Sequence, residues 1–374
     1  MVKPIVLVAV FLCLLVALKV AHTFLYQSSN NAQILFSVAP VSTTTSKAKV
    51  NKVWLCGTDW NYPVLAESLF GKAGTVWSGK ATMKPSEKDV LVHGLGASCP
   101  GLFQFPGKVV TMNGEPSVAY PEVLRSGYFW DPVSGNDNHF YLGPWKHPHT
   151  NIRATETQSS RTMPVYNVAR RSLALKNKDS SLFSDRGMPL RLINTQEFFA
   201  IYAATNCKSF RDQAYHSINK LNKEPFHTAG RCPAHTPTIA SPYATQRSQL
   251  SSNSKLYSHY KFVLCMENQK SKGYITEKLL YAFIGGGIPI YYGTTEVFDV
   301  FNEKAFVYYD VDHPQKALDQ IVYLNTNTTA YMDMVAQPML AHGEKTLEDY
   351  FSLSDDVGSG ILKARILDMM RVLQ

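Results

Sequence analysis

The chain has 374 residues, with 37 Lys and Arg against 29 Asp and Glu, for a formal charge of +8. That length supplies about two domains, and the apolar share of 45% is that of a soluble globular protein. The positive charge fits an anionic ligand or a membrane surface. A nucleic-acid role is set aside, because Lys and Arg are scattered and no nucleic-acid motif occurs.

Pro4 to Leu18 is an apolar run flanked by Lys3 and Lys19. It is short of the ~20 residues of an ideal membrane span, yet long for the core of a signal peptide. Ser28 to Lys49 follows, rich in Ser, Thr, Asn and Ala, with little to bury. The pattern predicts a transmembrane signal anchor over 1–22 and a stalk over 23–49, with the bulk of the chain in a lumen. Secretion after signal cleavage is the alternative.

From Val50, strand-like runs alternate with turn residues and a helix-length segment, Asn61 to Lys72. The runs are Lys52–Cys56, Gly74–Trp77, Asp89–Val92 and Lys108–Met112, which predict an α/β domain over 50–170. The fourth leads into Asn113-Gly114-Glu115-Pro116, putting Glu115 just past a strand. A carboxylate there can serve as a general base if shielded from water, although a turn Glu is usually a solvated surface group. Asn136 to Arg153, with His139, Trp145, His147 and His149, reads as a loop. Its aromatics can stack on sugar rings or simply pin the loop, and its histidines lack the companion spacing of a metal site. Arg153 to Arg191 is polar and aperiodic, an interdomain segment.

A second α/β unit is expected over 171–345. Glu197–Thr205 is its first strand, and a helix runs from Ser209 to about Leu221 with Phe210, Ala214, Ile218 and Leu221 on one stripe. Arg211 falls on the first turn of that helix, a place for an anion contact or for an ordinary surface salt bridge. Ala234–Ser254, rich in Thr, Ser and Pro, reads as a loop.

The most informative stretch is Tyr260 to Asp310. Phe262–Met266 is an unbroken apolar run, as in a parallel strand covered on both faces. It stops at Glu267-Asn268, at the strand end where open α/β sheets bind ligands. In the helix that follows, Ile275, Leu279, Ala282 and Phe283 can pack on the sheet. Tyr274, Glu277, Lys278 and Tyr281 share another side. Lys278 in the first turn opposes the helix dipole. A bound phosphate would reverse that cost, and an ion pair with the neighbouring Glu is the plainer alternative. Gly285–Gly287 lacks the Lys-Ser/Thr of a P-loop and reads as a helix stop before the strand Ile288–Tyr292. Ala305–Tyr309 is a further strand and Gln315–Leu324 a helix. A tail over 346–374 contains the amphipathic helix Ile361–Leu373.

Of the six cysteines, Cys13 lies in the anchor, which leaves an odd number and at least one unpaired thiol. Cys265, inside an apolar strand, is a core thiol. Cys207 with Cys232, then Cys56 with Cys99, are the disulfide candidates. No Cys-x-x-Cys or His-x-x-x-His spacing points to a metal. Asn327-Thr328-Thr329 is a glycosylation sequon.

Met266-Glu267-Asn268, Tyr274-Ile275-Thr276-Glu277-Lys278 and Ile288-Pro289-Ile290-Tyr291-Tyr292-Gly293 resemble the signature of the alpha-1,3-fucosyltransferases, with Met266 where that family usually has Phe. Upstream, Thr205-Asn206-Cys207, Arg211 and Gly230-Arg231-Cys232 are similar to the same family's pattern, and the C-terminal half looks closest to bacterial members. The resemblance implies an α/β fold of the GT-B type: two Rossmann-like domains facing a cleft, with GDP-fucose held by the C-terminal one. It further implies that Arg211 and Lys278 neutralise the diphosphate, Glu277 contacts the ribose, and Asn268 and Tyr274 contact phosphate and fucose. Gly114-Glu115 is similar to the family's Gly-Glu, which implies that Glu115 is the catalytic base or an acceptor-binding carboxylate. The implied reaction is inverting transfer of fucose from GDP-fucose to a hydroxyl, O3 of GlcNAc, on a glycan or glycoprotein acceptor. No metal cofactor is required, a divalent ion being at most stimulatory. The implied location is the Golgi membrane, single-pass type II. Two alternatives remain: a GT-B transferase using another donor such as GDP-mannose, and a catalytically inactive, membrane-tethered glycan-binding protein. The joint presence of Glu115, Arg211 and Lys278 favours an enzyme.

Overall fold

The computed structural model describes residues 49–56, 62–94, 99–112, 139–142, 166–192, 196–232, 239–247, 253–271 and 273–370. The expected anchor over 1–22, nearly all of the stalk, and Glu115, Trp145, His147 and His149 lie outside those residues. Among the described residues, no helix is long and apolar enough to cross a membrane.

Two parallel sheets organise the chain from Thr43 onward, which forms one compact unit. The first contains β1 (Val53–Cys56), β2 (Thr75–Val76), β3 (Val90–Gly94), β4 (Lys108–Met112) and β5 (His139–Leu142), in the order β2-β1-β3-β4-β5. Leu65, Ala66, Leu69 and Phe70 of α1 (Tyr62–Phe70) join its core. Strand β5 corrects the expectation of a loop over 136–153. His139–Leu142 pairs in parallel with β4, Val109 opposite His139 through Met112 opposite Leu142. Four residues with no flanking pattern are too few for periodicity to reveal a strand.

A second correction concerns the expected aperiodic segment over 153–191. It contains a helix, α2 (Tyr166–Lys178), so the expected division at residue 170 falls inside regular structure. Ala169 and Leu173 pack into the core of the first sheet, whereas Val168 and Leu175 belong to a core of the second. A helix that serves two cores has no single apolar stripe, which is the signal the sequence lacked. The C-terminal residues are likewise no appended tail. Leu353, and Leu362, Ile366 and Leu367 of α7 (Ile361–Met369), complete the core of the first sheet.

The second sheet contains β6 (Phe198–Ala204), β7 (Phe226–Gly230), β8 (Ile239–Ala240), β9 (Tyr260–Leu264), β10 (Ile288–Tyr291) and β11 (Val307–Tyr308). Its order is β11-β10-β9-β6-β7-β8, all neighbours parallel. Helices α3 (Ser209–Asn219), α4 (Glu277–Ile284), α5 (Gln315–Thr326) and α6 (Thr328–Val335) accompany it. The stretch expected as a loop over 234–254 contributes edge strand β8 and a short 3-10 turn at Ala244–Gln246. The chain runs outward through β6, β7 and β8, then returns to the far side of β6 with β9. The order therefore reverses between β6 and β9, and the carboxyl ends of those two strands are where open α/β sheets have their ligand crevice.

Gly285–Gly287 turn the chain from α4 into β10. Gly286 sits at φ +93°, and a Cβ there would lie 2.4 Å from the carbonyl oxygen of Leu192. Gly286→Ala is expected to cost roughly 2 kcal/mol or more from left-handed strain and this clash. The measurement is a urea midpoint that falls with an unchanged slope.

Disulfides join Cys56 to Cys99 and Cys207 to Cys232, and Cys265 is a buried free thiol. The second bridge ties the segment after β6 to the segment after β7, at the carboxyl edge of the sheet.

Candidate active site

The crevice is built from the ends of β6 and β9 and the starts of α3 and α4. Arg211, on the first turn of α3, spans the reversal. Its Nη1 donates to the carbonyl of Asn206, past β6, at 2.8 Å. Its Nη2 donates to the carbonyl of Met266, past β9, at 2.6 Å, and to Oδ1 of Asn268 at 2.9 Å. Only 3% of the residue is exposed. Burial lowers its pKa, against raising contributions from Tyr202, Glu267 and Tyr274. Asn268 uses its other end to donate from Nδ2 to the Tyr274 hydroxyl at 3.2 Å. Arg211, Asn268 and Tyr274 thus form one chain of contacts, in which Asn268 is half-buried and Tyr274 fully so.

Lys278 enters from α4 and meets the carboxylate of Glu267 rather than that of its neighbour. Its Nζ donates to Glu267 Oε2 at 2.8 Å and to the Thr276 hydroxyl at 2.7 Å. Glu267 is fully buried and also accepts from the Thr276 amide at 2.7 Å and from the Thr276 hydroxyl. Glu277, the neighbour named in the alternative ion-pair reading, turns instead toward α2, where its Oε2 lies 3.8 Å from Nε of Arg171. Burial acts to raise the Glu277 carboxyl, but the charges of Lys278 and Arg171 outweigh it, and its pKa is lowered. Helix α4 begins at Glu277, so Tyr274 stands in the turn before it rather than on its face.

The structure therefore brings Arg211, Asn268, Tyr274 and Lys278 to one end of the sheet, with Glu277 beside them. Lys278 and Glu277 keep 26% and 23% of their side chains exposed, so they are open to a ligand, while Arg211 is set back behind Asn268. Sequence reasoning missed Glu267 as the partner of Lys278. A charged residue at the end of a fully apolar strand needs a partner when buried, and that signal was available. It also missed Arg171, which was hidden with its helix. Asn327 of the sequon caps α6, its Oδ1 accepting from the Ala330 amide at 3.0 Å. Among the described residues, no cluster of His, Cys, Asp and Glu could hold a metal ion.

Residues 193–336, which contain all of these crevice groups except Arg171, match the family model described as glycosyltransferase family 10 (fucosyltransferase) C-term. The alpha-(1,3)-fucosyltransferase FucT of Helicobacter pylori is 29% identical over 261 residues, covering 67% of this chain and 52% of that protein. An alpha-(1,4)-fucosyltransferase of Arabidopsis thaliana is 31% identical over 130 residues, covering 32% of each. This chain therefore spans about half the length of the bacterial relative and less of the plant one. Among solved structures, a crystal structure of an alpha1,3-fucosyltransferase superposes with a TM-score of 0.50 at 19% identity, covering 88% of this chain and 93% of that one. That likeness is one of fold alone, an α/β arrangement with parallel sheets.

Proposed function

We propose, from the match of residues 193–336 to the C-terminal model of the family 10 fucosyltransferases, that this chain transfers fucose from GDP-fucose to a hydroxyl of a glycan, with inversion, in a two-domain GT-B arrangement. The observation that carries the proposal is the placement of Lys278 and Arg211 at the reversal of strand order, where a nucleotide sugar binds in folds of this class.

The acceptor oxygen attacks the anomeric carbon of fucose as GDP departs from the opposite face. Positive charge builds on the sugar and negative charge on the leaving diphosphate. The Lys278 ammonium supplies fixed charge near the place where that negative charge develops, and it need not reorganise during the reaction. Arg211 adds its field from behind Asn268, whose amide is already oriented by Arg211 and Tyr274. Glu277 is the candidate ribose contact. Glu115 is the candidate base that takes the acceptor proton, and O3 of GlcNAc is the candidate acceptor position. With two cations at the diphosphate site, no metal is required. Transfer is expected to persist in excess chelator; loss restored only by a divalent ion would contradict this part.

The apolar run Pro4–Leu18 and the polar stretch after it support attachment to a secretory-pathway membrane, in Golgi type II fashion. The sequon at Asn327 fits a luminal body. The donor assignment is tested by calorimetric titration with GDP, GDP-fucose, GDP-mannose and UDP. GDP and GDP-fucose are expected to bind, with UDP at least about tenfold weaker. Preference for GDP-mannose would favour the alternative donor, and absence of any nucleotide binding would overturn the proposal.

A further inference from the structure

Glu267 is the one carboxylate of the crevice with no exposure at all. It stands three residues past β9, after a run of apolar, buried residues from Phe262 to Met266. A buried carboxylate is unfavourable unless its lone pairs are filled, and well-packed apolar side chains commonly replace such pairs without loss of stability. Stability alone therefore does not call for a charge here.

The contacts show what the charge holds. The Thr276 amide, the Thr276 hydroxyl and the Lys278 ammonium all donate to it, at 2.7, 2.8 and 2.8 Å. Thr276 stands at the N-cap position of α4, yet its side chain makes no capping bond to the helix. Its single hydroxyl proton goes to Glu267, and the oxygen accepts from Lys278 at 2.7 Å. Two of the three ammonium protons of Lys278 are thus committed to partners fixed by the sheet and the helix start. The third is left for the crevice, to which 26% of the side chain is open.

We infer that Glu267 is a positioning residue: with Thr276 as its second hold, it fixes the Lys278 ammonium so that the remaining N–H is presented to the leaving diphosphate. This rests on the reading of the crevice as a diphosphate site. It carries a consequence that runs against intuition. Glu267 offsets part of the positive charge of Lys278 and Arg211, so its removal makes the crevice more attractive to an anion while leaving the lysine free to wander. Binding in the ground state is then kept, and stabilisation of the transition state is lost.

The test compares Glu267→Gln with the parent chain, alone and in a Lys278→Ala background, with the circular-dichroism melt as the check on folding. The expected result is GDP affinity within about threefold of the parent, or tighter, and kcat lower by about tenfold or more. In the Lys278→Ala background the same change lowers kcat by less than about twofold, because the group it positions is gone. An unchanged kcat, or an equal fall in both backgrounds, overturns the inference. Thr276→Val removes only the second hold and is expected to lower kcat by about threefold with GDP affinity retained; loss of both together would also count against it. A readout free of any nucleotide separates this inference from the donor assignment. In nitrogen-15 lysine-labelled protein, the ammonium signal that disappears in Lys278→Arg is expected to be protected from solvent exchange in the parent and lost in Glu267→Gln. An identical signal in both refutes the positioning role, whether or not GDP binds.

Discussion

Lys278→Ala is expected to lower kcat by about 100- to 1,000-fold, the effect of removing one preorganised group from a site of developing charge. GDP affinity falls as well, by about tenfold, because the variant loses the exposed cation of the crevice. The substitution has a second effect that could be mistaken for the first. It leaves the fully buried Glu267 without its ammonium partner, and breaking a buried pair from one side costs about 3–5 kcal/mol. The two effects come apart in Lys278→Ala with Glu267→Gln. That double variant removes the stranded charge, so its melting temperature should recover most of the loss, whereas its activity should not. A single variant that turned over normally would show that Lys278 is only a structural partner of Glu267. Recovery of activity in the double variant would show the same.

Glu115→Ala is expected to lower turnover by about 100- to 10,000-fold while leaving GDP affinity unchanged within about twofold. The contrast with Lys278 follows from position in the sequence. Glu115 comes just after β4 in the first sheet, whereas the crevice residues all come from the second. On the proposed mechanism, deprotonation of the acceptor and capture of the donor are separate tasks of separate halves. Retained turnover in Glu115→Ala would remove it as the base, and a parallel loss of GDP binding would show that it acts on the donor side.

Much of the second sheet was legible in the sequence, for reasons that can be named. β9 from Phe262 onward and the whole of β10 are buried, so they read as unbroken apolar runs bounded by polar or glycine residues. α4 has a wide apolar side, from Leu279 to Ile284 almost wholly buried, and Arg211 and Lys278 could be placed because each opens a helix after a strand. What stayed hidden depended on tertiary context. α2 divides its apolar residues between two cores, and its many polar residues made it look like a linker. β5 is too short to show a period. The alternative reading of Lys278, an ion pair with the neighbouring Glu, names the wrong carboxylate for a geometric reason. Adjacency in sequence favoured Glu277, but consecutive residues at a helix start point about 100° apart, so Glu277 reaches Arg171 while Lys278 reaches back to Glu267.

The ion pair between Arg171 and Glu277 connects two parts of the machinery. α2 is anchored in the core of the first sheet through Ala169 and Leu173, and Arg171 carries that anchoring to the first residue of α4. Glu277 and Lys278 are thus held from opposite directions, one by the connecting helix and one by the end of β9. Such bracing suits a site that must present charge without moving.

The most direct measurement is a transfer reaction with the full chain, GDP-fucose and an array of glycans, followed by NMR of the product's anomeric centre. The expected result is release of GDP together with a fucosylated glycan, attached at O3 of GlcNAc and with anomeric configuration opposite to that of the donor. Hydrolysis of GDP-fucose without transfer, retention of configuration, or transfer only from GDP-mannose would contradict it.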